Sequence, residues 1–147
     1  MNLFRRILVP HDFSRHATRA LEYAAGLAKA GGGRLIVLHA IPPFQPITAH
    51  MIAARTYLPE GEEVRAARGR LEGLVARTVR GARPRVEVRV VIDDPLQAID
   101  EASRGADLIV MSTAGRTGLA RLLIGSIAEK VVRHARVPVL TIRPRTR

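Results

Sequence analysis

Residues Leu108 to Ile127 read LIVMSTAGRTGLARLLIGSI, and this stretch decides the fold. The apolar residues Leu108 to Met111 predict a buried strand. Small residues and glycines follow, and Gly125-Ser126 opens a segment that predicts a helix. Glycines let the backbone approach a ligand without a Cβ clash, and a helix N-terminus presents unpaired N–H groups and a positive dipole end. The stretch therefore predicts a strand, a loop suited to holding an anion, and a helix, in that order.

Strands and helices alternate along the rest of the chain. Continuous apolar runs predict buried strands, whereas the period-two alternation of Arg85 to Val90 predicts a half-exposed edge strand, and Pro138 at the start of the last strand also suits an edge. The predicted strands are 6–10, 34–41, 85–90, 107–111 and 138–142, and the predicted helices lie around 17–28, 60–80, 95–104 and 126–135. This alternation predicts a single α/β domain over 1–147, with a parallel sheet covered by helices on both faces.

The composition narrows the class of protein. With 147 residues, of which 47% are hydrophobic, the chain can bury one substantial core. The absence of cysteine removes disulfides and thiolate catalysis, and no apolar run is as long as a membrane span, so we expect a cytoplasmic protein without membrane association. The net charge of +11 comes almost entirely from arginines spread along the chain. No aromatic residues interleave with them for base stacking, which disfavours nucleic-acid binding.

The loop after Met111 resembles a known nucleotide-binding pattern. Read as Ser112-x2-Gly115-x9-Gly125-Ser126, it is similar to the Gly-x2-Gly-x9-Gly-Ser/Thr loop of the universal stress protein family. The similarity extends over nearly the whole chain, through the segments 7–10 with Asp12, 35–40, 115–119, 125–131 and 137–140. The resemblance, together with the buried and edge strands, implies five parallel strands in the order 3-2-1-4-5.

The resemblance also implies a ligand and the residues that bind it. Members of the ATP-binding subgroup bind ATP with a divalent cation, Mg²⁺ or Mn²⁺, and often form homodimers through the C-terminal edge strand. The adenosine would be lined by Pro10, His11, Asp12 and Ala40. The phosphates would lie against Met111, Ser112 and Gly115, with N–H and hydroxyl groups offered by Gly125, Ser126 and Ile127. Arg116 is a candidate phosphate partner, or else a solvated surface arginine.

Topology directs attention to the same residues. In an open parallel sheet, ligands bind beyond the C-terminal strand ends, where the strand order reverses. In the order 3-2-1-4-5 this reversal falls between the first and fourth strands. The residues that follow those strands are 10–12 and 112–115. The composition of the loop and the strand order therefore predict a ligand-binding crevice at the same place.

Three of these residues have structural interpretations that compete with ligand binding. Ser126 begins the sequence Ser-Ile-Ala-Glu, a capping box with Glu129 that needs no ligand. Asp12 is either a helix N-terminal cap or an acceptor for a ribose, an adenine or a hard cation. Ser112 replaces the first glycine of the family pattern. A serine is strained there if the position has positive φ, and adds a hydrogen-bond donor if φ is negative.

The chain lacks the signatures of rapid nucleotide turnover. It contains neither a P-loop lysine motif nor a dinucleotide fingerprint, and its five histidines show no zinc-binding spacing. The leading hypothesis is an ATP-binding, dimeric stress-response or signalling module, with slow hydrolysis or autophosphorylation at most. The alternative is a dimeric interaction module of the same fold that does not use nucleotide. Association with nucleic acid through the arginine surface is a third, less favoured hypothesis.

Overall fold

The computed structural model describes residues 4–43, 60–81, 84–114 and 124–144. Strands and helices alternate through them, as the sequence predicts. The elements are β1 (Arg6–Pro10), α1 (Arg15–Gly31), β2 (Arg34–Ile41), α2 (Glu60–Thr78), β3 (Arg85–Ile92), α3 (Pro95–Ser103), β4 (Leu108–Ser112), α4 (Ser126–His134) and β5 (Val139–Ile142). Within these residues no helix combines the length and the apolar character that crossing a bilayer requires.

The five strands form one parallel sheet in the order β3-β2-β1-β4-β5, which confirms the predicted α/β fold class and strand order. β3 continues two residues beyond its predicted end, because Val91 and Ile92 pair with Ala40 and Ile41 of β2. β1 lies between β2 and β4, so the strand order reverses between β1 and β4.

Each face of the sheet packs against two helices. Alternate residues of β1 divide between the faces: Ile7 and Val9 pack with residues of α1 and α2, whereas Leu8 packs with residues of α3 and α4. All three side chains have no exposed surface. The central strands are therefore apolar on both faces, which explains their continuous apolar runs. β3 lies at one edge, and Arg68 of α2 donates a hydrogen bond to the Val88 carbonyl there at 2.9 Å.

Local capping fixes where two of the helices begin or end. Ser14 caps α1 and accepts from the Ala17 N–H at 3.0 Å, while Gly32, at φ 64°, ends this helix in the left-handed conformation that glycine adopts readily. Asp94 caps α3 ahead of Pro95.

The predicted capping box of α4 is wrong. Gly125 is the N-cap residue, and the Glu129 side chain bonds Arg133 at 2.7 Å instead.

Candidate functional site

A cavity of about 360 Å³ lies at the C-terminal ends of β1 and β4, where the strand order reverses. All the predicted site residues except Gly115 and Arg116 line it. These two lie outside the described residues. The predicted residues in the lining are Pro10, His11, Asp12, Ala40, Met111, Ser112, Gly125, Ser126 and Ile127. The fold thus brings together residues that are up to 117 positions apart in the chain, from Pro10 to Ile127.

The lining is mostly apolar, and part of it was not predicted. Pro42, Pro95 and Ile99 contribute apolar surface from the loop after β2 and from the start of α3, and Thr113 and Ala114 extend the edge formed by β4. Their positions carried a usable signal, because each lies just beyond a strand end or in the first turns of a helix on that side of the sheet. An apolar cavity with a few polar groups at its rim is the usual form of a small-molecule site.

Asp12 occupies a tight turn between β1 and α1. Its Oδ1 accepts a hydrogen bond from the Ser14 N–H at 2.9 Å. Phe13, between them, has φ 65°, and is the one non-glycine residue in the described part of the chain with positive φ. This left-handed conformation costs a non-glycine residue about 1 kcal/mol. Ser14 and not Asp12 is the N-cap residue of α1, so the cap interpretation of Asp12 is wrong; its carboxylate instead accepts from the N–H of the cap residue and lines the cavity.

His11 fixes the shape of this turn. Its Nδ1 accepts from the Phe13 N–H at 3.0 Å, so the remaining ring proton is on Nε2, which lies 3.3 Å from the Thr18 hydroxyl. The Thr18 hydroxyl in turn donates to the Ser14 carbonyl at 3.1 Å. The His11 N–H donates to the Leu38 carbonyl at 2.8 Å and joins the turn to β2. These bonds hold the turn in its strained conformation.

Burial lowers the pKa of His11 from 6.5 to about 4, because the charged imidazolium would lose its hydration. The Asp12 carboxylate acts in the opposite direction, whereas His39 and Arg70 add to the lowering. His11 is therefore neutral at pH 7. In the neutral ring Nδ1 carries no proton, and it can therefore accept the hydrogen bond from the Phe13 N–H.

Aromatic contacts cover the turn on its other side. The Phe13 ring lies 4.4 Å from the His39 ring, centroid to centroid, and the Arg70 guanidinium lies 4.1 Å from the Phe13 centroid. His39 donates from Nδ1 to the His11 carbonyl at 2.8 Å. The sequence shows only that His11 and His39 end neighbouring strands. The participation of Phe13 and Arg70 depends on the packing of α2, which no local pattern encodes.

The other side of the cavity is formed by the end of β4 and the start of α4. The Gly125 N–H donates to the Thr113 carbonyl at 2.7 Å, and the Thr113 N–H donates to the Ile142 carbonyl of β5 at 3.1 Å. The first bond made by a backbone N–H within α4 runs from Glu129 to Gly125. The N–H groups of the first turn, Ser126 to Ala128, therefore have no acceptor inside the helix. They form the positive end of α4, beside the cavity.

The structure decides between the alternatives for Ser112 and overturns the capping interpretation of Ser126. Ser112 is the last residue of β4 and does not have positive φ, so serine is not strained there. Its Oγ accepts from the Ala114 N–H at 3.1 Å, which leaves the hydroxyl proton as a donor. Ser126 is the first residue of α4 rather than its cap. Both hydroxyls line the cavity.

The donors around the cavity fit a metal ion only in part. Asp12 is the one acidic side chain among the described lining residues. No group of three histidine, aspartate or glutamate side chains close enough to hold a metal occurs within the described segments. Mg²⁺ commonly binds through one or two carboxylates together with water and substrate phosphates. Asp12 is therefore a candidate ligand for a hard cation, and the described lining residues do not form a self-sufficient metal site.

These features define an α/β protein with a mostly apolar crevice at the switch point of a parallel sheet. The family model for the universal stress protein family matches residues 3–143, and the chain belongs to that family. It is 36% identical over 146 residues to a universal stress protein of Thermus aquaticus, covering 96% of this chain and all of that protein. The structure resembles universal stress protein UspA from Lactobacillus plantarum, with a TM-score of 0.71 and 25% identity over 94% of this chain and 97% of that one. It also resembles a universal stress protein in complex with cAMP, with a TM-score of 0.67 and 23% identity over 96% and 98% of the two chains.

Proposed function

We propose that this chain binds ATP, with Mg²⁺ or Mn²⁺, in the crevice between β1 and β4, and acts as a nucleotide-dependent stress-response or signalling module. The observation that carries the proposal is the cavity itself. An apolar floor faces a carboxylate at one end and the positive end of α4 at the other. An adenosine would rest on Pro10, Ala40 and Met111, with Asp12 accepting from the ribose. A phosphate would meet the α4 N-terminus, which favours anions.

Gly125 supports this proposal in particular. Its backbone has φ −55° and ψ 148°, a conformation open to any residue, so the backbone conformation does not require glycine at this position. A missing side chain beside a cavity and a helix N-terminus is what close approach of a ligand requires. Ser112 and Ser126 add hydroxyl donors at the same end. The likeness to the cAMP complex, at 23% identity, concerns the fold, and the proposal rests on the cavity of this chain.

Binding rather than rapid hydrolysis is the proposed activity. No lysine or arginine occurs among the described residues that line the cavity. Phosphoryl transfer depends on cations that stabilise the developing charge, and on a group that orients the attacking water. A divalent cation carried with the phosphates would supply only part of this charge, so slow turnover fits the site better than fast turnover. We propose further that residues 1–147 form one cytoplasmic domain, since the family match spans nearly all of them.

Calorimetry on nucleotide-free protein tests the proposal. ATP with Mg²⁺ should bind, and Gly125→Val should weaken binding at least tenfold, because the new side chain fills space that the phosphates would use. Gly69→Val is the matched control, since a Cβ at Gly69 meets nothing within 4 Å and this glycine lies on α2, away from the cavity. An absence of binding heat at millimolar ATP would refute nucleotide binding and favour the nucleotide-independent interaction module.

We propose that the protein forms a homodimer through β5. In the described part of the chain this strand pairs with β4 alone, so its outer edge is open, and open edges need covering. Leu140 on this strand is 38% exposed, and Val132 of α4 is also exposed. Sedimentation equilibrium should find a dimer that Leu140→Glu converts to monomer. Leu27→Glu on α1 is a matched control, because Leu27 is equally exposed at 38%. A wild-type monomer, or a dimer that survives Leu140→Glu, would contradict this interface.

A further inference from the structure

The opposite end of the sheet, where the strands begin, carries a row of three arginines. Arg6, Arg34 and Arg85 are the first residues of β1, β2 and β3. The strand register pairs Arg6 with Arg34 and Arg34 with Arg85. Paired residues of neighbouring parallel strands direct their side chains to the same face, and neighbouring strands lie about 4.8 Å apart. The row therefore spans about 10 Å, with its spacing set by the sheet.

These arginines belong to a larger basic cleft of about 950 Å³. Arg5 and Lys29 add two further cations to it. Asp107 is the one acidic residue among its described lining, and this carboxylate is already engaged by the backbone N–H groups of Arg5 and Arg6 and by the Arg6 guanidinium at 3.4 Å. No ion pair joins Arg5, Lys29, Arg34 or Arg85 to a carboxylate of the described residues. We call this surface the basic cleft.

The neighbouring acid and the nearby helix end do not neutralise the basic cleft. Glu87 lies two residues beyond Arg85 and is close enough to Arg34 to be affected by its charge, but its carboxylate bonds Arg89 at 2.6 Å. α1 ends at Gly31, beside Lys29, and a helix C-terminus carries a partial charge of about −0.5. That partial charge offsets only a fraction of the cations. A net positive concavity remains, and an anion would relieve its internal repulsion.

The backbone beneath the row is rigidly tied together. The Arg34 N–H donates to the Arg5 carbonyl and the Asp107 N–H to the Arg6 carbonyl, each at 2.8 Å. A Cβ at Gly33 would lie 2.6 Å from the Phe4 carbonyl oxygen, so only glycine permits this close approach of the β2 start to the β1 start. The Cα positions of the arginines are therefore fixed by the sheet, and the side chains start from a rigid backbone rather than from a loop.

We propose that the basic cleft binds a linear chain of phosphate groups without bases, of the chemical class of inorganic polyphosphate. Guanidinium groups match phosphate oxygens in planar, bidentate geometry, and a row of them can contact several phosphates of one chain. Nucleic acid fits less well, because sequence-independent binding of single strands uses aromatic side chains for base stacking, and the described lining has none. The site is at the opposite end of the strands from the cavity at β1 and β4, so it can be occupied independently.

Fluorescence anisotropy with end-labelled short-chain polyphosphate tests this proposal on the full chain. The double variant Arg34→Gln with Arg85→Gln should weaken binding at least tenfold and reduce its salt dependence, because two phosphate contacts are lost. Arg65→Gln with Arg77→Gln removes the same charge from exposed positions on α2 outside the cleft, and should change affinity less than twofold. Circular dichroism establishes that both variants are folded.

Three results would overturn the proposal. Equal weakening in the two double variants would show that only overall charge matters. Tighter binding of a single-stranded oligonucleotide than of polyphosphate of equal charge would assign the surface to nucleic acid. Loss of polyphosphate binding in Gly125→Val would place the polyphosphate in the cavity at β1 and β4 instead. Retained binding in Gly125→Val, with loss on changing Arg34 and Arg85, would support the basic cleft.

Discussion

The burial of His11 predicts that stability falls as the solution becomes mildly acidic. The folded protein keeps this imidazole neutral down to about pH 4, whereas the unfolded chain protonates it near its ordinary pKa of 6.5. Between these values the unfolded state binds more protons than the folded state, so stability rises with pH there and is lost as pH falls. Below about pH 4 His11 is protonated in both the folded and the unfolded state, so a further fall in pH costs no more stability through this group.

The magnitude follows from the same two pKa values, 6.5 and about 4. Each pKa unit corresponds to about 1.4 kcal/mol. Lowering the pH from 7 to 5 should therefore remove about 2 kcal/mol of unfolding free energy through His11, and the full loss near pH 4 should be about 3 kcal/mol. For a domain of ordinary stability this is a substantial fraction of the total.

Urea unfolding of the wild type and His11→Asn at pH 7 and pH 5 measures this contribution. An asparagine places its amide oxygen near the position of Nδ1, and so retains an acceptor for the Phe13 N–H. The variant should lose about 2 kcal/mol less than the wild type over this pH interval. His134→Asn, at an exposed position on α4, controls for the removal of an imidazole and should keep the wild-type pH dependence. An equal loss in wild type and His11→Asn, or a His11 NMR titration near pH 6.5, would refute the reasoning.

Three further changes test separate parts of the site and the fold. Asp12→Asn keeps the acceptor for the Ser14 N–H but removes the charge, so ATP affinity in calorimetry should fall at least fivefold while urea unfolding changes little; unchanged affinity would make Asp12 purely structural. Asp94→Ala removes the acceptor of two N–H groups at the start of α3 and should cost about 1 kcal/mol in urea unfolding, and no change would show that the cap is dispensable. Gly33→Ala should cost about 1–3 kcal/mol in the same assay, because its Cβ would meet the Phe4 carbonyl, and a stabilising effect would contradict the close approach.

The fold could be predicted because each strand carries its burial in its own sequence. β1 is apolar at every interior position and β2 at every one except His39, and both strands are covered on both faces, whereas β3 alternates and lies at an edge. The extension of β3 to Ile92 was missed, because its last residues gain their pairing from β2 rather than from a local pattern. Periodicity reports which faces are buried, and pairing partners determine where a strand stops.

The candidate site could be predicted in position but not in detail. Parallel strands bring their C-terminal ends to one edge of the sheet, so the residues that follow β1 and β4 must lie close together there. The capping box at Ser126 was wrong because Gly125 takes the cap position, and the bond from Gly125 to Thr113 is a tertiary contact. The contact of the Arg70 guanidinium with the Phe13 ring was also missed, because Arg70 lies on a helix distant in sequence.

The two proposed sites differ in their charges, so the salt dependence of binding distinguishes them. The net charge of +11 suggests a protein that binds all anions through its arginines. In the described residues, however, the cavity at β1 and β4 is lined by no arginine or lysine, and its positive character comes from backbone N–H groups. The basic cleft has five cationic side chains.

Fixed dipoles next to an apolar floor respond less to ionic strength than exposed side-chain charges do. Polyphosphate affinity should therefore fall steeply with salt, whereas ATP affinity should fall only slightly. A steep fall for ATP would instead assign phosphate binding to Arg116, the candidate phosphate partner that lies outside the described residues.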